Sequence, residues 1–196
     1  LDLSPGAAAS VDFTVPVEGY ESPWRLARFV FSYDSAQMTA APASMAAFVG
    51  YAAANPGRVT HPVVSNFMGA TFLKQALIEL APDPAALQAP VTDAAFAVQT
   101  APLWDWYEAL RPNLWRKGEA FPENQSVQDQ MLADGEIDIS MSFDPASTAA
   151  AVAEGLLPET ARVFVPMGGS IGNVSFVAIP FNAANAEGAE VVANFL

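Results

Sequence analysis

Residues 135–147 read GEIDISMSFDPAS, and they constrain the fold more than any other stretch. Ile137, Ile139, Met141 and Phe143 alternate with Asp138, Ser140 and Ser142, so the two sets fall on opposite faces of one strand. The run ends at Asp144, a good helix N-cap, and Pro145, a good first helical residue. The Ala-rich segment that follows reads as a helix stopped by Gly155. A strand handed straight to a helix is a building step of layered α/β folds, and small polar groups at such a handover line ligand crevices there.

The same alternation runs along most of the chain. LARFVFSY (26–33) reads as a strand. Ser44 caps a helix with Met45, Phe48, Val49 and Ala52 on one face, stopped by NPGR (55–58). VTHPVV reads as a short edge strand broken by Pro62. GATFLKQALIEL (69–80) is a helix with Phe72, Leu73, Ala76, Leu77 and Leu80 inward. Residues 81–102 read as a Pro- and Ala-rich connector with one turn of helix, followed by an aromatic helix ending near Pro112. Ser126 and Asp129 have capping-box spacing for a helix that ends at Gly135. RVFVP, the loop MGGSIGN, the strand VSFVAIP and a last helix complete the order. Residues 1–24 are punctuated by Pro and Gly around one short candidate strand, VDFTV. The expected fold is α/β: a mixed, mostly parallel sheet containing 26–33, 136–143 and 174–180, with helices on both faces. Strands 26–33 and 174–180 are expected side by side.

Composition narrows the function classes. Among 196 residues there is no cysteine, which excludes thiol nucleophiles, disulfides and zinc fingers. The net charge of −13 argues against nucleic acid, which needs a basic face. No stretch of apolar residues is long enough to span a bilayer. His61, the single histidine, sits beside Pro62 in no supporting motif; it reads as a surface residue, and no catalytic triad, metal or cofactor is expected. The chain begins with Leu and ends in EVVANFL, with Val191, Val192, Phe195 and Leu196 on one helical face, which reads as a segment of a longer protein.

Four pieces resemble the extracellular solute-binding proteins of bacterial ABC importers, of the two-lobed type II family. FVFSYDSAQM (29–38) looks like the strand by which the chain leaves the first lobe, and PASMAAFVGYAAANPGRVTHP (42–62) like the helix and strand that open the second. LADGEIDISMSFDP (132–145) and VSFVAIPFNAANAEGAEVVANFL (174–196) look like the second lobe's ligand-facing strand and the returning hinge strand with its helix. Together they cover more than half the chain in the family's order, and they look like a branch distantly related to iron- and thiamine-binding members. The resemblance implies a periplasmic-binding-protein-like type II lobe. Residues 1–25 would be the tail of the first lobe or a linker, 26–180 the second lobe with hinge strands at 26–33 and 174–180, and 181–196 the start of a first-lobe helix. It also implies a periplasmic protein that clamps a small solute between lobes and delivers it to a membrane permease.

The candidate ligand-binding residues are Tyr33, Asp34 and Ser35 past the first hinge strand, Gly69 and Thr71 in a helix N-terminus suited to anions, Ser142 and Asp144 at the strand end, and Asn173. If strand ends and helix starts share one rim, all of them gather around one cleft. For each there is a competing reading as a cap, a turn or a solvated terminus. Trp104, Trp106, Tyr107 and Trp115 read as core more than as a stacking platform, GGSIGN as a hinge-side loop, and Glu136 and Asp138 as a solvated pair. Acidic and aromatic groups favour a cationic, thiamine-like solute, whereas the helix terminus favours an anion. The rival functions are an effector-binding domain of a sensor or transcriptional regulator, and an enzyme on a two-lobed α/β fold; no poised acid, base or nucleophile supports the latter.

Overall fold

The structure is a computed structural model that describes residues 10–12 and 15–196. Its strands and helices run β1 (Val11–Asp12), β2 (Val15–Pro16), β3 (Glu21–Arg28), β4 (Val30–Asp34), α1 (Met45–Ala54), α2 (Phe67–Leu80), α3 (Asp93–Leu110), α4 (Gln125–Ala133), β5 (Ile139–Ser142), α5 (Ser147–Ala153), β6 (Ala161–Phe164), β7 (Gly172–Ala178) and α6 (Ala186–Phe195). The chain divides into two compact units. Phe29–Ile171 forms one; the described residues up to Arg28 form the other with Gly172–Leu196. The chain therefore passes between units twice, at Arg28/Phe29 and at Ile171/Gly172.

In the unit Phe29–Ile171, β4 lies at the centre of a three-stranded sheet in the order β5-β4-β6. Its apolar face carries Phe31, fully buried, with ring centroids 5.0 Å from Phe29, 5.1 Å from Phe48 and 5.1 Å from Phe164. Helices α1, α2 and α3 contribute Met45, Phe48, Phe72, Trp106 and Leu110 to the same core. Each of the three starts at a polar cap: Ser44 accepts from the Ala47 N–H, Asn66 from Met68 and Thr92 from Ala95. The Trp106 indole N–H donates to the Met45 carbonyl, locking α3 to α1. A smaller cluster of Met131, Leu132, Ile137, Leu157 and Ala161 packs beneath α4.

The α/β class stands, but the expectation of mostly parallel pairing does not. Both β4–β5 and β4–β6 are antiparallel, as are β1–β2 and β3–β7. Hydrophobic alternation places a strand and its faces but carries no information on direction; here four helices, α1 to α4, intervene between β4 and its partner, and β5 returns antiparallel to it. Residues 26–33 are also not one strand. β3 ends at Arg28 and β4 begins at Val30, in different sheets. Leu26 does pair with Val174, so the segments expected side by side are neighbours within the other unit.

Three further expectations change. The connector 81–102 holds the expected turn of helix, a 3₁₀ turn at Pro84–Gln88, but also the first half of α3, whose interior holds Pro102. The helix tolerates the lost N–H because Leu103, Trp106 and Leu110 anchor its second half in the core. VTHPVV joins no ladder; its first four residues are buried, and it is tied by single bonds such as Trp115 N–H to Val59 O. Helix α4 is capped by Asn124, whose side chain accepts from the Val127 N–H, rather than from Ser126. In the other unit, β3 and β7 pair with a register shift between Pro23 and Arg25, and Asn185 caps α6. Residues 13 and 14 of VDFTV lie outside the described residues.

Candidate ligand-binding rim

The antiparallel register divides the candidate residues. Ser142 at the carboxyl end of β5 lies opposite Val30 at the start of β4, whereas Tyr33 lies opposite Ile139. Three residues of strand, roughly 10 Å, therefore separate Ser142 from Tyr33 along the sheet. Tyr33, Asp34 and Ser35 occupy the far edge, beside β6. The Tyr33 ring meets Phe164 edge-on at 5.6 Å, the Asp34 carboxylate accepts from the Ala36 N–H at 2.9 Å, and the Ser35 hydroxyl donates to the Thr160 carbonyl at 2.7 Å. These contacts make a turn and anchor it.

At the near edge, Ser142 and Asp144 form a compact polar corner. The Ser142 hydroxyl, buried, accepts from the Asp144 N–H at 3.0 Å and from the Ser147 hydroxyl at 2.7 Å. The Asp144 carboxylate accepts from the Ala146 N–H at 2.9 Å. This is an Asx turn, not the helix cap read from the sequence, because α5 starts only at Ser147. Between the two, Phe143 reaches Phe29 at 5.7 Å and Phe67 at 5.2 Å. Phe67 is the first residue of α2 and more than half exposed. The start of α2, the end of β5 and the first chain crossing thus meet at one edge of the unit.

Gly69 and Thr71 belong to that edge by position, but their side-chain positions turn inward. A Cβ on Gly69 would lie 2.2 Å from the Pro62 carbonyl oxygen and 2.4 Å from that of Val63, so glycine is what lets α2 press against that segment. The buried Thr71 hydroxyl donates to the Phe67 carbonyl of its own helix at 2.8 Å. The groups α2 offers at the rim are Asn66 and Phe67, which the sequence reading passed over; an aromatic directly after a capping Asn was the available signal. Asn173 lies in the other unit, opposite Ala27, where its amide donates to Asp12 at 3.2 Å and to the Val174 carbonyl at 2.9 Å.

Other polar groups singled out from the sequence are structural. His61 is fully buried, stacked on Phe72 and Phe121, with its ring nitrogens 2.7 Å from the Pro62 carbonyl and 3.0 Å from the Tyr107 hydroxyl. Burial pushes its pKa down to about 4, against a smaller upward pull from the Pro62 carbonyl. This corrects the surface reading. Asp138 is buried, paired with Arg58 and accepting from the Tyr51 hydroxyl at 2.7 Å; burial and that carboxylate push the Tyr51 pKa up. Glu136 accepts from the Trp115 indole at 2.8 Å. The pair expected to be solvated is therefore engaged. Among the described residues, no three His, Cys, Asp or Glu side chains gather as metal ligands.

Comparison with known proteins gives one consistent result. Residues 2–196 match the family model described as bacterial extracellular solute-binding protein. The chain is 44% identical over 185 residues to Protein YnjB of Escherichia coli (strain K12), an alignment that covers 94% of this chain and 48% of that protein. Among solved structures it resembles a spermidine/putrescine ABC transporter substrate-binding protein, PotD, of Streptococcus pneumoniae, with a TM-score of 0.64 at 15% identity over 92% of this chain and 48% of that one. It also resembles an ABC transporter from Clostridium perfringens, with a TM-score of 0.62 at 18% identity over 91% and 49%. The fold is thus that of the type II periplasmic binding proteins. The chain spans about half the length of these relatives.

Proposed function

The chain belongs to the bacterial extracellular solute-binding proteins, and on that premise we propose that it supplies the second lobe and both hinge crossings of a periplasmic protein that captures a small solute and delivers it to an ABC permease. The observation that carries this reading is the way the two crossings are joined: the Phe29 N–H donates to the Ile171 carbonyl at 2.8 Å, directly beside both passages between units. Two adjacent strands of chain linking two compact bodies make a hinge that bends without tearing a core. The polar corner of Ser142 and Asp144, with Phe67 and Phe143 beside it, lies at the same edge and forms this lobe's solute-facing wall.

A carboxylate flanked by aromatic rings suits an organic cation, which gains both charge pairing and cation–π attraction. A thiamine-like solute fits this chemistry better than an anion, since Asn66 already caps the Met68 N–H at the α2 terminus. A role in binding rather than turnover agrees with a site of turn-forming hydroxyls, carboxylate and aromatics. The test is calorimetric titration of the full-length protein with cationic, neutral and anionic solutes, repeated with Asp144→Ala. The expected result is binding of a cation that weakens by roughly 30-fold or more in the variant. Loss of the Asx turn costs about 1 kcal/mol, so the variant stays folded. Binding of the same cation with unchanged affinity would remove Asp144 from the solute wall; hydrolysis of an ester, phosphate or glycoside by the protein would overturn the binding reading itself.

A further inference from the structure

Ile171, the last residue of the unit Phe29–Ile171, is held by both of its backbone groups. Its carbonyl accepts from the Phe29 N–H at 2.8 Å, and its own N–H donates to the Gln75 side-chain oxygen at 2.9 Å. The amide nitrogen of Gln75 donates in turn to the Gly169 carbonyl at 3.1 Å. Gln75 lies in the third turn of α2 and is 4% exposed. A glutamine amide carries the donor and the acceptor of a peptide group, so it engages Gly169 and Ile171 as a neighbouring strand would. The loop so clasped is otherwise lightly held. The Met167 N–H donates to the Ala43 carbonyl at 2.8 Å and the Gly169 N–H to Pro166 at 2.9 Å. A Cβ at Gly168 or Gly169 would meet no atom within 4 Å, and two glycines in open space gain much freedom if released. The Ile171 side chain, by contrast, packs against the main core.

The bond from Phe29 to Ile171 joins the peptide groups of the two crossings themselves. A hinge needs its pivot fixed in one of the bodies it connects, with the change in backbone angles absorbed by a few residues beside it. Ile171 is where the bond between crossings meets the clasp from α2. We propose that Gln75 is the positioning residue of this hinge. It fixes Ile171 to α2, so that bending at the second crossing is confined to the Ile171/Gly172 link instead of spreading back through 168–171. The same helix carries Phe67 at the rim, about 12 Å earlier along its axis. Solute wall and pivot are therefore set by one rigid element. What the hinge serves rests on the solute-binding reading above; the clasp itself does not.

The test is ¹⁵N relaxation and residual dipolar couplings on the full-length protein with no solute added, comparing the parent with Gln75→Met and Leu110→Ala. Gln75→Met keeps the length of the side chain and removes both bonds. The freed Gly169 carbonyl and Ile171 N–H can turn to water, since both residues are only half-buried, and the variant stays folded. Leu110→Ala opens a cavity in the core on α3 and lowers stability without touching the clasp. In the parent, order parameters at Gly169, Ser170 and Ile171 should match those of α2, about 0.85; in Gln75→Met alone they should fall below about 0.6. The Phe29 amide should exchange with solvent about tenfold faster or more, and the dipolar couplings should report a wider spread of orientations between the two units. Unchanged order at 168–171 would show that the clasp is not needed. A loosened loop with an unchanged spread would make Gln75 a loop anchor with no part in the hinge. The same changes in Leu110→Ala would assign them to lost stability. Each of these overturns the assignment. A failed calorimetric test of solute binding would leave these readouts untouched, so the two readings fail separately.

Discussion

His61 shows how a single side chain can mislead when only its neighbours in sequence are known. Pro62 beside it suggests a surface turn, yet the ring is walled in by Phe72 and Phe121 and held by Tyr107. Its pKa is lowered from 6.5 to about 4 by burial. A histidine depressed in the folded state binds fewer protons than its unfolded counterpart between those values, so stability rises with pH there. The contribution is complete above pH 6.5 and is lost as pH falls towards 4, a loss of roughly 3 kcal/mol. Asp129, whose pKa is raised by burial, has the opposite sign: the stability it adds in acid is lost as pH rises through its folded value. Urea midpoints measured across this range should fall on acidification, and His61→Phe should flatten the slope. An equally steep slope in the variant would assign the acid sensitivity to other groups.

At the scale of elements, helix α2 carries much of the lobe's organisation. Its first turn packs on the Pro62 and Val63 carbonyls, its second ring, Phe72, enters the core, and Gln75 holds the loop 168–171. Gly69→Ala puts a methyl group inside the contact distance of two backbone oxygens, so the helix or the segment must shift; the expected cost is on the order of 2–4 kcal/mol, read as a lower melting temperature. A variant as stable as the parent would mean that the close approach relaxes freely. The elements themselves were largely legible. The 3.6-residue spacing of Met45, Phe48 and Ala52, and of Phe72 and Ala76, placed helices whose inward faces are the ones observed. Strand β5 was found from its alternation, although Ser140 and Ser142 proved as buried as Ile139 and Met141. Strand direction was not legible, since a period of two is the same read either way. That one missing bit moved Tyr33, Asp34 and Ser35 to the opposite edge from Ser142 and Asp144. Nor does sequence show that the Thr71 hydroxyl is spent on Phe67 O.

For the whole molecule, the two crossings set what motion is available. Under the proposed function, solute capture by the full-length protein is accompanied by closure about Arg28/Phe29 and Ile171/Gly172. Small-angle scattering should then show a smaller radius of gyration with saturating solute than without it. An unchanged radius, with binding demonstrated independently, would mean that the protein binds as a rigid body. The resemblance read from FVFSYDSAQM and VSFVAIP expects hinge strands at 26–33 and 174–180, each with a local apolar signature, and the passages between units lie at Arg28/Phe29 and Ile171/Gly172. The break at Phe29, which divides one apparent strand between two sheets, has no such signature.

The bond from Phe29 to Ile171 also bears on how such a molecule is assembled. A body whose entry and exit points touch behaves as an insert: the surrounding chain meets it as one short gap between β3 and β7, however many residues lie within. Closing that gap costs entropy that grows only slowly with the length enclosed. Residues can therefore be added to or removed from the surface loops of Phe29–Ile171 with little effect on the pairing of the strands that carry it, and the surface of this unit is free to diverge while its attachment stays the same.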